Sequence, residues 1–332
     1  MLLRMLLISI VIVSCNGESD NNDKKERTTT SGSANYYVNQ NRSTETRSVT
    51  EKYGDLEIKE GEFIVESDIR PWSAWWYPSR DTSLFRSSEG LAPLEKYDNF
   101  SYDIFNIDAR SAEYEEEYIY NEGEANWSGL CHAWAVASVL YKEPKYIANR
   151  GGIDFSVGDQ KALLIKSYAN VSNLTIFGDR YDGHHEDNFE DVYPEQFHRF
   201  AVEWLENKNK PFLMDYDPSY PVWTVPVNKV KFIITKEDNQ TAFVKAWVQY
   251  ATPFVFDQNY VGTKYSNKAY TYRLYGDFSG STMKVVDSEW VEDSIDDHPD
   301  YVIEYPENAN RGTFNQELQI KVIDEIVRPQ RL

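Results

Sequence analysis

Near residue 210 the spacing of apolar side chains changes from the period of a helix to that of a strand. Before that point the apolar positions recur at helical intervals. In residues 194–207, PEQFHRFAVEWLEN, the side chains of Phe197, Phe200, Ala201, Trp204 and Leu205 fall on one face. Pro194 stands where a first helical turn tolerates its missing N–H. Residues 131–142, CHAWAVASVLYK, are apolar nearly all round, as a buried helix is, and Glu143-Pro144 stops them. Residues 156–169 open with Ser156 and Asp159 at capping positions. After Phe212 the period is two. Val230, Phe232 and Ile234 alternate with Lys231, Ile233 and Thr235, and strands are expected over 243–250, 270–277 and 282–290. Ser279-Gly280-Ser281 turns one hairpin. The expectation is an α+β unit over residues 61–332, with a helical part over about 68–208 and an antiparallel part over about 209–306.

The amino-terminal stretch is of another kind. Met1-Leu2-Leu3-Arg4 precedes an apolar run over residues 5–13, which ends in Ile12-Val13-Ser14-Cys15. A basic start, a short apolar run and a small residue before the cut describe a signal peptide over residues 1–14. The last four residues resemble a bacterial lipobox, which implies that Cys15 is acylated and becomes the new N-terminus. Several acyl chains anchor stably where one would not. Asn16 after the cysteine favours the outer membrane by the same resemblance. Residues 15–60 contain few apolar side chains and read as a disordered polar tether.

A formal charge of −20 excludes nucleic acid as a natural partner, because phosphate contacts need a basic face. It suits basic partners, lysine-bearing proteins among them.

The chain has two cysteines. With Cys15 taken up by lipid, Cys131 has no partner for a disulfide, and an unpaired thiol in an oxidising compartment is a liability unless its reactivity is used. It stands in Trp127-Ser128-Gly129-Leu130-Cys131-His132-Ala133-Trp134, at the expected start of the apolar helix. Helix-terminal N–H groups and the dipole favour a thiolate there, and could hold an oxyanion.

A thiol nucleophile needs a base, and the base an orienter. Of five histidines, His132 diverges from Cys131 on a helix, and His184 and His185 lie in a polar loop that is at most a weak metal site. His198 is the favoured base, with Asp215 as orienter at the end of the strand that follows, and Asp217 as a substitute. His298 is the alternative base, with Asp300 or Glu289 as its acid.

Further segments complete a pattern. Pro71-Trp72 with Tyr77-Pro78, Pro93-Leu94-Glu95-Lys96-Tyr97-Asp98, Phe197-His198 with Asp215, Val222-Trp223-Thr224-Val225-Pro226-Val227, and Glu289-Trp290 with His298-Pro299-Asp300 follow one another in order. Together with the cysteine motif they resemble the transglutaminase elicitor family of oomycete enzymes and bacterial relatives, over about residues 68–306. Thr224-Val225 depart from the family's usual Asn-Gln, and Asp287-Ser288 from its Gly-Gly. The resemblance implies a core of the papain-like and transglutaminase type. It also implies acyl transfer: Cys131 attacks a protein glutamine, ammonia leaves, and a lysine amine or water takes the acyl group. Trp127, Trp134 and Trp223 would wall the pocket. Calcium dependence comes with the family, although the acidic residues 187–191 and 293–300 form no recognisable ligand loop. Two rivals stand beside this reading, a papain-like cysteine protease and a non-catalytic binding lipoprotein on the cell surface.

Overall fold

A computed structural model describes residues 48–178, 191–219 and 221–332. The export signal, Cys15, the tether up to residue 47, and His184 and His185 lie outside the described residues. Order begins earlier than composition suggests. α1 (Ser48–Tyr53), β1 (Glu57–Lys59) and the start of β2 (Gly61–Glu66) fall at the boundary expected for the tether, and residues 48–60 are folded. Val49, Leu56 and Ile58 are buried in the core, and the Thr50 N–H donates to Gln196 Oε1 at 3.0 Å. A few apolar residues spaced among polar ones anchor the segment, and its average polarity conceals them.

The helical part contains α2 (Pro93–Phe105) and α3 (Ser111–Tyr114), the latter widening into a π turn over Glu115–Ile119. α4 (Cys131–Leu140), a small hairpin of β3 (Ala148–Arg150) and β4 (Ile153–Phe155), and α5 (Val157–Lys166) follow. Next come β5 (Thr175–Gly178) and α6 (Pro194–Ala201), which continues as π helix through Asn207. The expected cap is present on α5: the Asp159 N–H donates to Ser156 Oγ at 3.1 Å, and the Ser156 N–H donates to Asp159 Oδ2 at 2.7 Å. The same helix carries two buried ammonium groups. Lys161 meets Glu143 at 2.7 Å and Lys166 meets Glu115 at 2.7 Å. Such pairs bind separate segments together, and removing one partner strands a buried charge at a cost of about 3–5 kcal/mol.

The strands are β6 (Phe212–Asp215), β7 (Thr224–Lys236), β8 (Thr241–Ala251), β9 (Tyr265–Ser279), β10 (Thr282–Trp290) and β11 (Tyr301–Glu304), and α7 (Ile320–Val327) closes the chain. Nine strands make one sheet in the order β1-β10-β9-β8-β7-β6-β11-β5, with β2 also paired to β7. Every pairing recorded between its strands is antiparallel. β7 is long enough to pair with β6 through its first residues and with β2 through its last. Between the two, its register to β8 slips at Asn228, whose carbonyl accepts the Ser67 N–H at 3.0 Å.

β5 comes from the helical part yet joins the sheet, pairing Gly178 with Tyr301. The sheet therefore draws strands from both sides of residue 208. β5 and β6 both run antiparallel to β11, so Gly178 and Asp215 end on the same edge of the sheet. Gly178 has φ +102, and a Cβ there would stand 2.4 Å from the Asp300 carbonyl oxygen. Only glycine allows this close approach.

α4 is the helix that fixes the geometry of the thiol. All of its residues except His132 are buried, as the all-round apolar pattern requires. The Trp134 indole N–H donates to the Trp72 carbonyl at 2.9 Å, and the Trp72 indole donates to the Tyr141 carbonyl at 2.9 Å. These bonds satisfy two buried polar groups that would otherwise cost about 1–3 kcal/mol each. The helix packs against β7.

Candidate active site

Cys131 is the first residue of α4 and is 3% exposed. The approach to it is set by close backbone contact. Gly129 bridges to Pro78, and the Leu130 N–H donates to the Trp76 carbonyl at 2.9 Å. A Cβ on Gly129 would stand 2.6 Å from the Trp76 ring and 2.8 Å from the Tyr77 carbonyl oxygen. The sequence Trp-x-Gly-x-Cys thus has a steric reason.

The thiol lies 3.7 Å from the Val222 carbonyl oxygen, to which it donates. Val222 is placed by its neighbour, because the Trp223 N–H donates to Asp215 Oδ1 at 3.0 Å. Asp215 is fully buried at the end of β6, and Thr224 pairs with it as β7 begins. Tyr216 is next along the chain. Its hydroxyl pKa is pushed up by burial first, then by the nearby charges of Asp217, Tyr250, Asp215 and Cys131. The Tyr270 hydroxyl holds the Tyr216 carbonyl at 2.6 Å. Cys131, Asp215, Val222 and Trp223 are therefore brought together.

His198 is not brought to them. Its ring stacks on Phe232 at 3.8 Å, and its Nδ1 and the Tyr272 hydroxyl share a hydrogen bond of 2.8 Å. Phe232 stands far down β7 from Thr224, and at about 3.3 Å per residue the separation is on the order of 25 Å. The pairing of His198 with Asp215 is corrected accordingly. The expectation treated the helix bearing His198 and the strand bearing Asp215 as a neighbouring unit. The helical face that carries His198 instead turns into the core of the sheet. Asp217 does not take the orienting role either, since it accepts the Ser219 N–H at 3.1 Å.

His298 is held on both sides. Nδ1 lies 2.8 Å from the Ser294 carbonyl oxygen and Nε2 lies 2.9 Å from Asp191 Oδ2, while the ring stacks on Trp290 at 5.2 Å. The carboxylate that meets its ring is Asp191, and Glu289 is engaged elsewhere, accepting the Tyr275 hydroxyl and facing Arg273. Asp191 carries no sequence signal beyond its position in an acidic run, so it was missed. His132 turns its Nε2 to the Ala169 carbonyl at 3.0 Å, and burial lowers its pKa.

Two of the three tryptophans expected to wall the pocket belong to the core. Trp134 is fully buried and Trp127 is 7% exposed in the same cluster. Trp223 is half-buried and faces Trp76 and Phe254. Trp76, beside Tyr77-Pro78 in the sequence, packs on both Gly129 and Trp223, a role that no spacing in the run Trp75-Trp76-Tyr77-Pro78 signals.

The buried place of His198 has a consequence for stability. Burial drives its pKa down to about 3 from an ordinary 6.5. The unfolded chain takes up this proton below pH 6.5, whereas the folded chain resists it until about pH 3. The neutral ring therefore contributes stability that is present above pH 6.5 and lost as pH falls through that window, on the order of 5 kcal/mol in all. The double substitution His198→Phe with Tyr272→Phe removes donor and acceptor together. It is expected to flatten the fall in melting temperature between pH 6.5 and 4 relative to the natural chain. Parallel curves for the two proteins would refute the assignment.

Fold and site together define a mixed helix and antiparallel sheet protein with a buried thiol at a helix start. Residues 116–264 match the family model described as Transglutaminase elicitor. The crystal structure of the GP42 transglutaminase from Phytophthora sojae is similar to this chain with a TM-score of 0.67 and 17% identity, covering 88% of this chain and 98% of that one. No curated protein matches the chain. The family resemblance read from the motifs is present over residues 116–264, and the fold is that of the GP42 transglutaminase.

Proposed function

We propose that the protein is a thiol-dependent acyltransferase that acts on protein glutamine. The observation that carries this reading is Cys131 at the first turn of a buried helix, inside the family-matched region, with Asp215 and Trp223 fixing the Val222 carbonyl that meets its thiol. The thiolate sulfur attacks the Cδ carbon of a glutamine side chain, the C–N bond breaks, and ammonia leaves with a proton from a general acid. A lysine Nζ then attacks the thioester, gives up a proton to the same group, and the thiolate is released. Water in place of lysine gives glutamate.

For the proton carrier we assign His298 with Asp191 as its orienter. The support is positional. β11 enters the sheet beside the exit of β6, pairing Val302 with Met214, so His298, Asp300 and Asp215 lie toward one edge. Once protonated, an imidazole steadied by a carboxylate hands its proton to the amide nitrogen that leaves as ammonia and returns to the neutral form. Its Nδ1 must exchange the Ser294 carbonyl for the reacting groups.

Whether calcium serves the reaction is decided by the assay below, because residues 187–190 of the acidic 187–191 run lie outside the described residues. Among the described residues no three or more acids, histidines or cysteines are grouped to hold a metal ion. Lys268 pairs with Asp297 in the acidic 293–300 stretch.

Incubation with a labelled primary amine and a glutamine-rich protein, with and without calcium, tests the whole reading. Incorporation supports transfer, chain cleavage supports the protease, and neither supports a binding module.

The location we propose is the bacterial envelope, by a lipid on Cys15. Among the described residues no helix is long and apolar enough to cross a membrane. Cys15→Ala is expected to move the protein from the membrane fraction to the soluble one with its amine incorporation intact. An unmodified Cys15 in the mass spectrum of exported protein would end this proposal.

A further inference from the structure

A row of aromatic rings leads to the surface from Trp223, the neighbour of the residue whose carbonyl meets the Cys131 thiol. Trp223 meets the edge of Trp76 at 5.0 Å and Phe254 at 5.0 Å. Trp76 lies 5.9 Å from Trp75, and Trp75 lies 5.3 Å from Phe256. A β-bridge between Trp75 and Phe254 fixes the two segments side by side. Exposure rises along the row, from buried Trp76 through half-buried Trp75 to Phe254 at 43% and Phe256 at 83%.

A single exposed phenylalanine is ordinary. An ordered row that starts at the residues shaping the nucleophile is not, since Trp76 both holds the Leu130 N–H and fills the space left by Gly129. Carboxylates rim the row. The Trp75 indole donates to Asp81, and exposed Asp257 directly follows Phe256. The whole chain carries a charge of −20.

Building on the acyl-transfer reading above, we propose that this row is a subsite for the glutamine-bearing substrate. Its occupant is an aromatic side chain with a lysine or arginine beside it. The ring stacks on Phe256 and Trp75, and the cation faces Asp81 and Asp257. The three steps from Trp223 to Phe256 are 5.0, 5.9 and 5.3 Å, so an extended peptide at about 3.3 Å per residue covers them in roughly five residues. The aromatic residue therefore sits four or five positions from the reactive glutamine.

The test uses pairs of single-glutamine peptides on the intact chain. One of each pair carries Phe-Lys four and five positions before or after the glutamine, and the other carries Ala-Ser there. The natural protein is expected to prefer the Phe-Lys peptide roughly tenfold in kcat/KM, the worth of partly burying one ring. Phe256→Ala should bring the ratio close to one, and Asp257→Asn should lower it and weaken its salt dependence. Trp247→Ala, an exposed aromatic on the outer face of the sheet, should leave the ratio as it is. Equal kcat/KM for both peptides, or a ratio that survives Phe256→Ala, overturns the subsite and leaves acyl transfer standing. Failure to turn over any glutamine donor overturns acyl transfer instead. The subsite is then judged by fluorescence anisotropy of the labelled Phe-Lys peptide: binding lost in Phe256→Ala keeps it, and equal binding removes it.

Discussion

Cys131→Ser is expected to lower amine incorporation at least a thousandfold while leaving the protein folded. The size of the loss follows from the chemistry. An alcohol without a strong base is a far weaker nucleophile than a thiolate, and removing the nucleophile of a concerted set costs about as much as removing the set. Folding should survive because serine is close in size to cysteine and its hydroxyl can donate to the Val222 carbonyl as the thiol does. The melting temperature is the control. A variant with substantial turnover would remove Cys131 from the mechanism, and one that lost both activity and fold would say nothing of chemistry. In the latter case Cys131→Ala, which leaves Val222 without this donor but adds no polar atom, separates the two effects. Iodoacetamide offers an independent reading, since Cys131 is the one cysteine among the described residues. Alkylation should abolish incorporation in step with the mass shift on that residue.

The sequence shows Cys131 and its setting because both are local. Gly129 and Cys131 are two positions apart, and the steric need for glycine and the start of an apolar helix are written in neighbouring residues. The long strands β7 to β10 are legible for the same reason, since alternation over many residues has one reading. Partners distant in sequence are not. His298 finds Asp191 across the fold, and His198 finds Tyr272. In both cases a closer acid or a tidier spacing suggested another pairing. His198 shows the error plainly. Its helix was read correctly, including the face formed by Phe197 and Phe200, yet His198 is buried in the core beside them. Short strands such as β1 and β5 carry too few residues for any period to appear, and they join the sheet only through pairings that close late.

The two histidines make opposite predictions, and activity separates them. If His298 carries the proton, His298→Gln should lower kcat/KM for amine incorporation by about 10²–10⁴, the range for loss of a general acid–base group. The residual rate should also lose a limb of its pH profile, which a purely structural change would not remove. Glutamine is the informative replacement because its amide can still reach toward the Ser294 carbonyl or Asp191, which keeps the 294–298 turn closed. Asp191→Asn should give a smaller loss with the same change in profile, since the carboxylate acts through the ring. The doubly substituted His198→Phe, Tyr272→Phe protein should turn over at near the natural rate, because that ring lies on Phe232, on the order of 25 Å along β7 from the residues around the thiol. The contrast does not depend on either variant alone. Normal turnover and an unchanged pH profile in His298→Gln would return His298 to a structural role, holding Trp290 and the turn before β11. The proton carrier would then have to be sought elsewhere around Cys131.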